Sequence, residues 1–294
     1  MITMANPRWV MMGLLICVVA AATGAVFAQS PTPKSGFITT ADGVRIHYLE
    51  QGRGPAMLFV PGWTMSAKIW APQIAHFSPA HRVVAMDPRG QGDSGKPADG
   101  YFPAARARDI RAVVDGLKLA PVVLVGWSMG VSEVASYVEQ FGTSSLSAVV
   151  LVDGIAGTDP NPALIASMVR FAATMLTDRQ KTTDGFVRSM YRTPQSEDYL
   201  ASVIADSLKM PTSAAVAVMV GSITTDARAG LARIDKPVML AVAPGGPWTA
   251  VYEDMRARMP GCRFVSFEGA GHALFVDQPD RFSAEVEALL ARQR

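Results

Sequence analysis

Six short apolar runs recur along the chain, at residues 56–60, 82–86, 122–125, 148–152, 238–243 and 263–267. Each is too short and too apolar for an amphipathic surface helix, so each predicts a strand buried on both faces. Ahead of them, residues 36–51 alternate apolar and polar positions around Ala41-Asp42-Gly43, the pattern of an antiparallel hairpin. Stretches of helical character separate most of the runs, residues 105–117 among them, and residues 280–292 predict a closing helix with Pro279 near its start. Strand and helix in alternation argue for an α/β fold with a mostly parallel, doubly wound sheet.

One interval departs from this rhythm. Between residues 152 and 238 no strand is evident, and helical segments fall instead at 163–177, 183–191, 197–208 and 213–224. The pattern therefore predicts a core over residues 29–153 and 233–294, with a helical cap over residues 154–232 inserted after the sixth strand. Met168, Met175, Met190, Met210 and Met219 are spread through the cap. They read first as core packing, and alternatively as an adaptable apolar lining for an acyl chain.

The first 28 residues have the layout of a signal peptide. Arg8 supplies a positive start, residues 9–22 are almost wholly apolar, and Val26-Phe27-Ala28 offers the small residues of a cleavage site. Cleavage there predicts a periplasmic or secreted protein; the alternative is an uncleaved anchor, since the apolar stretch approaches the roughly 20 residues that span a bilayer. Ile16 before Cys17 argues against lipid attachment. Without the leader, Cys262 is the single cysteine, expected as a surface or strand-edge thiol, so no intramolecular disulfide can form. Of the 294 residues, 49% are hydrophobic and 18% charged, which fits a thick-cored globular chain rather than a disordered one. A formal net charge of +2, with no Lys/Arg run, gives no case for a nucleic-acid partner.

The chemistry concentrates at Gly126-Trp127-Ser128-Met129-Gly130. It follows the run at 122–125 and precedes helix-compatible residues 131–141, which end at Gly142. Strand, Gly-x-Ser-x-Gly and helix form a sharp turn that lifts the serine Oγ clear of the sheet. A serine hydroxyl needs a base to take its proton. Of four histidines, His47 sits in an alternating strand, and His76 and His81 flank Ser78-Pro79 in a polar connection. His272, in Gly269-Ala270-Gly271-His272 after the run at 263–267, lies where a loop can bring an imidazole to the same sheet edge. No ligand-spaced metal motif and no dinucleotide fingerprint occur, so no cofactor is expected.

Four motifs follow one another in order: Val60-Pro61-Gly62-Trp63, then Asp87-Pro88-Arg89-Gly90-Gln91-Gly92-Asp93-Ser94, then the serine turn, then Gly271-His272. Over residues 36–294 the sequence resembles the α/β-hydrolase superfamily. Trp127-Ser128-Met129-Gly130, followed by Glu133-Val134-Ala135, is similar to its cofactor-free haloperoxidase, perhydrolase and esterase branch. The resemblance implies an oxyanion hole from the backbone N–H groups of Trp63 and Met129, with Pro61 standing where the family commonly has histidine. The Asp87 to Ser94 segment reads as a glycine turn supporting the floor of the site.

The acid that orients the histidine is open. Most of the superfamily carries it after the seventh strand, but Pro244-Gly245-Gly246-Pro247-Trp248 contains no carboxylate. A minority places it at the end of strand six, where Asp153 stands; a strand-end aspartate is also an ordinary capping residue. Glu253 and Asp254 are the reserve, and a dyad without an acid is the third possibility. Dehalogenases and epoxide hydrolases of this fold use aspartate at the turn, so Ser128 favours acyl transfer. The expected activity is hydrolysis of carboxylic esters, a small-molecule substrate class, through an acyl-enzyme. Lactone hydrolysis, for instance of acyl-homoserine lactones, and perhydrolysis are alternatives on the same site, and a binding module without catalysis is the non-enzymatic one.

Overall fold

A computed structural model of the chain describes Met1 and residues 32–159, 161–246 and 248–291. Apart from Met1, the leader expected over residues 1–28 lies outside the described residues. The predicted hairpin forms β1 (Lys34–Thr39) and β2 (Arg45–Gln51), paired antiparallel with Thr39 opposite Arg45. The six apolar runs become β3 (Ala56–Val60), β4 (Arg82–Met86), β5 (Val122–Trp127), β6 (Leu146–Val152), β7 (Val238–Val242) and β8 (Arg263–Ser266). Together they make one sheet of order β1-β2-β4-β3-β5-β6-β7-β8. Only the pairings of β2 with β1 and β4 are antiparallel; the pairings from β4 through β8 are parallel.

The central strands are apolar at every position because both faces are covered. Along β3, Leu58 and Val60 point to one face and Met57 and Phe59 to the other, as the two-residue period of a strand requires. On the first face they meet α2 (Pro103–Gly116) and α3 (Met129–Phe141), through Ile110, Val113, Val131 and Val134. On the second face they meet α1 (Ala71–Phe77) and, near the C-terminus, α10 (Leu274–Asp277) and α11 (Pro279–Ala291), through Ile74, Phe275 and Phe282. Trp70, directly ahead of α1, stacks on Phe275 of α10 at 4.0 Å between ring centroids and lies 6.4 Å from the Phe282 ring of α11.

Between β6 and β7 run α4 (Pro162–Thr177), α5 (Arg179–Ser189), α6 (Glu197–Leu208), α7 (Thr212–Ile223) and α8 (Arg228–Leu231). Their starts follow local chemistry. Asn161, Asp178 and Ser196 each accept a first-turn backbone N–H, at 3.1, 3.0 and 3.3 Å. The described residues from 32 to 291 form one compact unit, these helices included. Met175, Met190, Met210 and Met219 are buried in the packing, whereas Met168 is only half-buried. The helices α1, α8 and α10 and helix α9 (Thr249–Ala257) were not predicted. The first three are too short to show a 3.6-residue period, and α9 starts directly beyond Gly245-Gly246, which reads as loop. Cys262 sits just before β8, and burial pushes its thiol up to about 11.

Two charged clusters involve side chains of α2, one buried throughout and one open to solvent only at Asp42. Arg89 grips Asp109 with two hydrogen bonds of 2.7 and 2.5 Å and pairs with Asp42 at 2.9 Å. Arg106 on α2 lies 3.1 Å from Glu133 on α3, both essentially without solvent contact. Burial pushes the Glu133 carboxyl up to about 7, outweighing the attraction of Arg106, while Asp109 on α2 adds to the upward push. A carboxyl with a raised folded-state pKa makes the native state hold a proton that the unfolded chain has already released. Stability from this group is therefore full at low pH and is lost as pH rises from the ordinary glutamate range through about 7. Glu133→Gln should not feel this loss. Melting temperatures of the variant and the unaltered protein, measured from pH 4.5 to 8, should diverge in the variant's favour as pH rises, and a difference independent of pH would refute the assignment.

Candidate active site

The site is built where β5 turns into α3. Trp127 pairs with Val152 across β5 and β6, and the Ser128 N–H donates to the Val152 carbonyl at 2.8 Å. Ser128 then takes φ 58° and ψ −120°, a left-handed conformation that costs a serine about 1–3 kcal/mol. The flanking glycines make room for it. A Cβ on Gly126 would lie 2.6 Å from the Gly130 carbonyl oxygen, and one on Gly130 would lie 2.8 Å from that of Val60. Asp153, at the end of β6, and Thr64, after β3, also carry positive φ, at 40° and 60°. Three of the four non-glycine residues with positive φ among those described therefore border one site.

His272 stands between the other two side chains. Its Nε2 is 2.8 Å from Ser128 Oγ and its Nδ1 is 2.7 Å from Asp153 Oδ2. An ionised carboxylate only accepts, so Nδ1 carries the proton and the Nε2 lone pair faces the serine O–H. The second Asp153 oxygen accepts from the Ala243 N–H at 2.8 Å and the Tyr252 O–H at 3.1 Å. Burial, reinforced by the Asp153 charge, pushes the Tyr252 phenol far above its usual range, so it stays a donor. The histidine loop is itself tied down. The Trp127 indole N–H donates to the His272 carbonyl at 2.9 Å, and Asp277 accepts from the Gly271 N–H at 2.7 Å. Asp277 also accepts from the N–H groups of Arg192 and Thr193 in the loop after α5, at 2.8 and 3.1 Å.

Facing the serine is the turn Gly62 to Met65, closed by the Met65 N–H donating to the Gly62 carbonyl at 3.2 Å. A Cβ on Gly62 would sit 2.7 Å from Ser128 Cβ, so only glycine lets the turn approach this closely. The backbone N–H groups of Trp63 and Met129 have no acceptor among the described residues, which leaves both available to a bound oxygen. The inserted helices rest on this turn. The Trp63 indole N–H donates to the Ala215 carbonyl of α7 at 2.8 Å, and its ring meets Phe171 and Phe186 at 5.5 and 5.2 Å.

The structure thus brings Ser128, His272, Asp153, Trp63 and Met129 together and leaves the reserve acids out. Glu253 and Asp254 lie on α9, where Asp254 pairs with Arg258 at 2.8 Å and Arg228 at 3.6 Å. It is Tyr252, immediately before them, that this helix delivers to Asp153. Nothing in the sequence signals that role, because it depends on how α9 docks. His76 pairs with Glu287 at the surface, and His81 stacks edge-on against Phe77.

The Asp87 to Ser94 segment forms the expected hydrogen-bonded turn. Asp87 accepts from the Ala67 and Asp93 N–H groups at 2.6 and 2.8 Å, and Ser94 Oγ donates to the Asp87 carbonyl at 2.5 Å. His47, Asp87 and Asp93 come close enough to invite a metal ion. Their donor atoms are already engaged, with His47 bonded to both Asp87 and Ser35 at 2.8 Å and Asp93 paired with Lys209 at 2.8 Å. The cluster fits a structural role better than a metal site.

Known proteins support the same frame. The alpha/beta hydrolase family model matches residues 57–285. The chain is 35% identical over 159 residues to the non-heme chloroperoxidase CPO-A1 of Kitasatospora aureofaciens, covering 50% of this chain and 58% of that protein. It is 37% identical over 134 residues to a bifunctional esterase/perhydrolase of Acinetobacter calcoaceticus, covering 43% of this chain and 49% of that protein. The chain thus spans about half the length of the curated relatives it matches. Among solved structures, an esterase from Exiguobacterium antarcticum superposes with a TM-score of 0.82 at 23% identity, covering 88% of this chain and all of that one. A bromoperoxidase from Bacillus anthracis does so with a TM-score of 0.81 at 20% identity and the same 88% coverage of this chain, again with all of the other chain covered. At those identities the likeness speaks to fold alone. With a serine on a strained turn at the strand edge and a family match over most of its length, the chain belongs to the alpha/beta hydrolase family.

Proposed function

We propose that this protein is a serine hydrolase that cleaves carboxylic esters through an acyl-enzyme. The observation that carries the reading is the unbroken line Ser128 Oγ, His272 Nε2, His272 Nδ1, Asp153 Oδ2, with links of 2.8 and 2.7 Å. His272 takes the serine proton as Oγ attacks the ester carbonyl, and Asp153 stabilises the imidazolium that results. The carbonyl oxygen becomes an anion facing the Trp63 and Met129 N–H groups, fixed donors that need no reorganisation. Collapse of the adduct expels the alcohol, which takes the proton from His272 and leaves the acyl group on Ser128. Water, deprotonated by His272, then attacks the acyl-serine and releases the acid with Oγ reprotonated.

The surroundings favour an apolar acyl group. Trp63, Phe171, Phe186, Met129 and Met168 cluster at the turn and the inserted helices, and all but Trp63 remain only partly buried. Perhydrolysis is the second reading, supported by the likeness to the Acinetobacter enzyme. Hydrogen peroxide would replace water at the acyl-serine, giving a peracid and free Ser128. A cap over residues 154–232 and export through the leader ending at Ala28 belong to the same proposal.

Ser128→Ala should abolish p-nitrophenyl acetate hydrolysis and fluorophosphonate labelling while leaving the melting temperature within a few degrees; turnover surviving in that variant would remove the assignment. Asp153→Asn should lower kcat on the order of 10⁴-fold, because the imidazole loses the partner that fixes its tautomer, whereas Asp254→Asn should change it by less than about twofold. Across p-nitrophenyl esters, kcat/KM should rise from acetate to butyrate or hexanoate by roughly tenfold per well-buried pair of methylenes, and Phe171→Ala should flatten that rise. A preference that falls with chain length would count against an apolar acyl site.

A further inference from the structure

Behind the turn that carries Trp63 lies a chain of three buried polar side chains. Gln91, Arg106 and Glu133 are each 2% exposed or less, and they lead from the loop after β4 through α2 to α3. Gln91 Nε2 donates to the Gly62 carbonyl at 3.0 Å and to the Met65 carbonyl at 2.6 Å. Its Oε1 accepts from Arg106 Nη2 at 2.6 Å, and Arg106 Nε stands 3.1 Å from Glu133 Oε1. A guanidinium only donates, so Arg106 dictates that the oxygen end of the amide faces it and the NH₂ end faces the turn.

Stability alone does not account for this arrangement. Desolvating a buried ion pair can cost as much as the pair returns, and apolar side chains of similar volume would fill the space as well. Glu133 Oε2 and both Nε and Nη1 of Arg106 are buried without a hydrogen-bond partner, so Arg106 and Glu133 are joined as an ion pair and not by a well-aligned hydrogen bond. The feature that gives the chain a purpose is the peptide plane it grips. In a trans peptide the C=O and N–H point in opposite directions. The Gly62 carbonyl held by Gln91 and the Trp63 N–H offered to the site belong to one plane. Fixing the carbonyl on the Gln91 side therefore aims the N–H the other way. The Met65 N–H holds the same carbonyl from within the turn at 3.2 Å, and Gln91 anchors it from outside, where glycine at position 62 supplies no side chain to fix the plane.

We propose that Gln91 is a positioning residue for the oxyanion hole: oriented by Arg106 and Glu133, it fixes the Gly62–Trp63 peptide so that the Trp63 N–H faces the oxygen of a carbonyl attacked by Ser128. The inference rests on the acyl-transfer reading and adds to it the side chain that sets the donor's direction. Gln91 touches no reacting atom and acts wholly through the backbone of the turn.

The test compares Gln91→Met, close in shape but unable to donate, with Gln91→Asn, which keeps an amide drawn back by one methylene. Both are assayed on p-nitrophenyl esters, with inhibition by an alkyl boronic acid, whose tetrahedral adduct on Ser128 carries an oxygen in the hole, and by the product carboxylate. The expected result for Gln91→Met is a kcat lower by on the order of 100-fold, as for loss of one oxyanion donor. KM and product inhibition should stay within about twofold, and boronate affinity should fall in parallel with kcat. Gln91→Asn should show the same split, and it decides the matter should Gln91→Met fail to fold. Unchanged kcat and boronate affinity in a folded variant would overturn the proposal, as would equal losses in kcat, product binding and melting temperature. An unaltered protein that turns over no ester would instead overturn the acyl-transfer reading.

Discussion

The backbone at Ser128 is the constraint around which the rest is arranged. A serine at φ 58° is unfavourable in isolation, and it is held there by what meets on either side. β5 brings the chain in, α3 takes it away, and Gly126 and Gly130 allow the two to come within contact of each other and of β3. The Ser128 N–H is already committed to β6 through the Val152 carbonyl. Relaxing the turn would break that bond and separate the strand from its helix. The same sharp turn exposes Oγ at the sheet edge, where the residues after β3, β6 and β8 can converge on it.

The inserted helices are fastened to the site rather than laid loosely across it. Ala215 holds the Trp63 indole, and Ser207 Oγ donates to Thr64 Oγ1 at 2.8 Å. Asp206 accepts from Ser66 and Lys68, both at 3.1 Å. At the other end, Asp277 joins the histidine loop to the loop after α5, and the Ala273 N–H donates to the Met190 carbonyl at 2.9 Å. Helix placement and the positions of Trp63 and His272 are thus mechanically linked. Substitutions in the inserted helices would therefore be felt at Ser128 and His272 as well as in the shape of the apolar cluster around Trp63.

Buried polarity is spent in two different ways. Asp87 and Ser94 satisfy backbone donors and acceptors and act as a splint between β2, β4 and the segment leading into α1. Arg106 and Glu133 are less completely satisfied, and their one well-formed link runs through Gln91 to the turn beside Ser128. Partly satisfied buried charge is a liability in a purely structural core. Its presence next to a site that needs fixed dipoles is consistent with positioning being the gain.

Local sequence was sufficient for the strands, the hairpin, the four longer helices between β6 and β7, and the serine turn. Each is specified by contacts within a few residues: an apolar run buried on both faces, a glycine pair, a capping side chain. His272 was legible as well, because three of the four histidines lacked a loop at the right sheet edge. The acid was not. Asp153 stands first by its place at the end of the sixth apolar run, with Glu253 and Asp254 in reserve, and the order of strands is what separates them. Pairing Trp127 with Val152 sets Ser128 abreast of Asp153, and α9, docked through its buried Tyr252 and Met255, turns Tyr252, not its acidic neighbours, toward that carboxylate. The reach of Gln91 to Gly62 was hidden for the same reason. Spacing along the chain determines which residues can form a strand, a turn or a helix, whereas register and helix docking determine which side chains far apart in sequence share a hydrogen bond, and that information exists only once the sheet has closed.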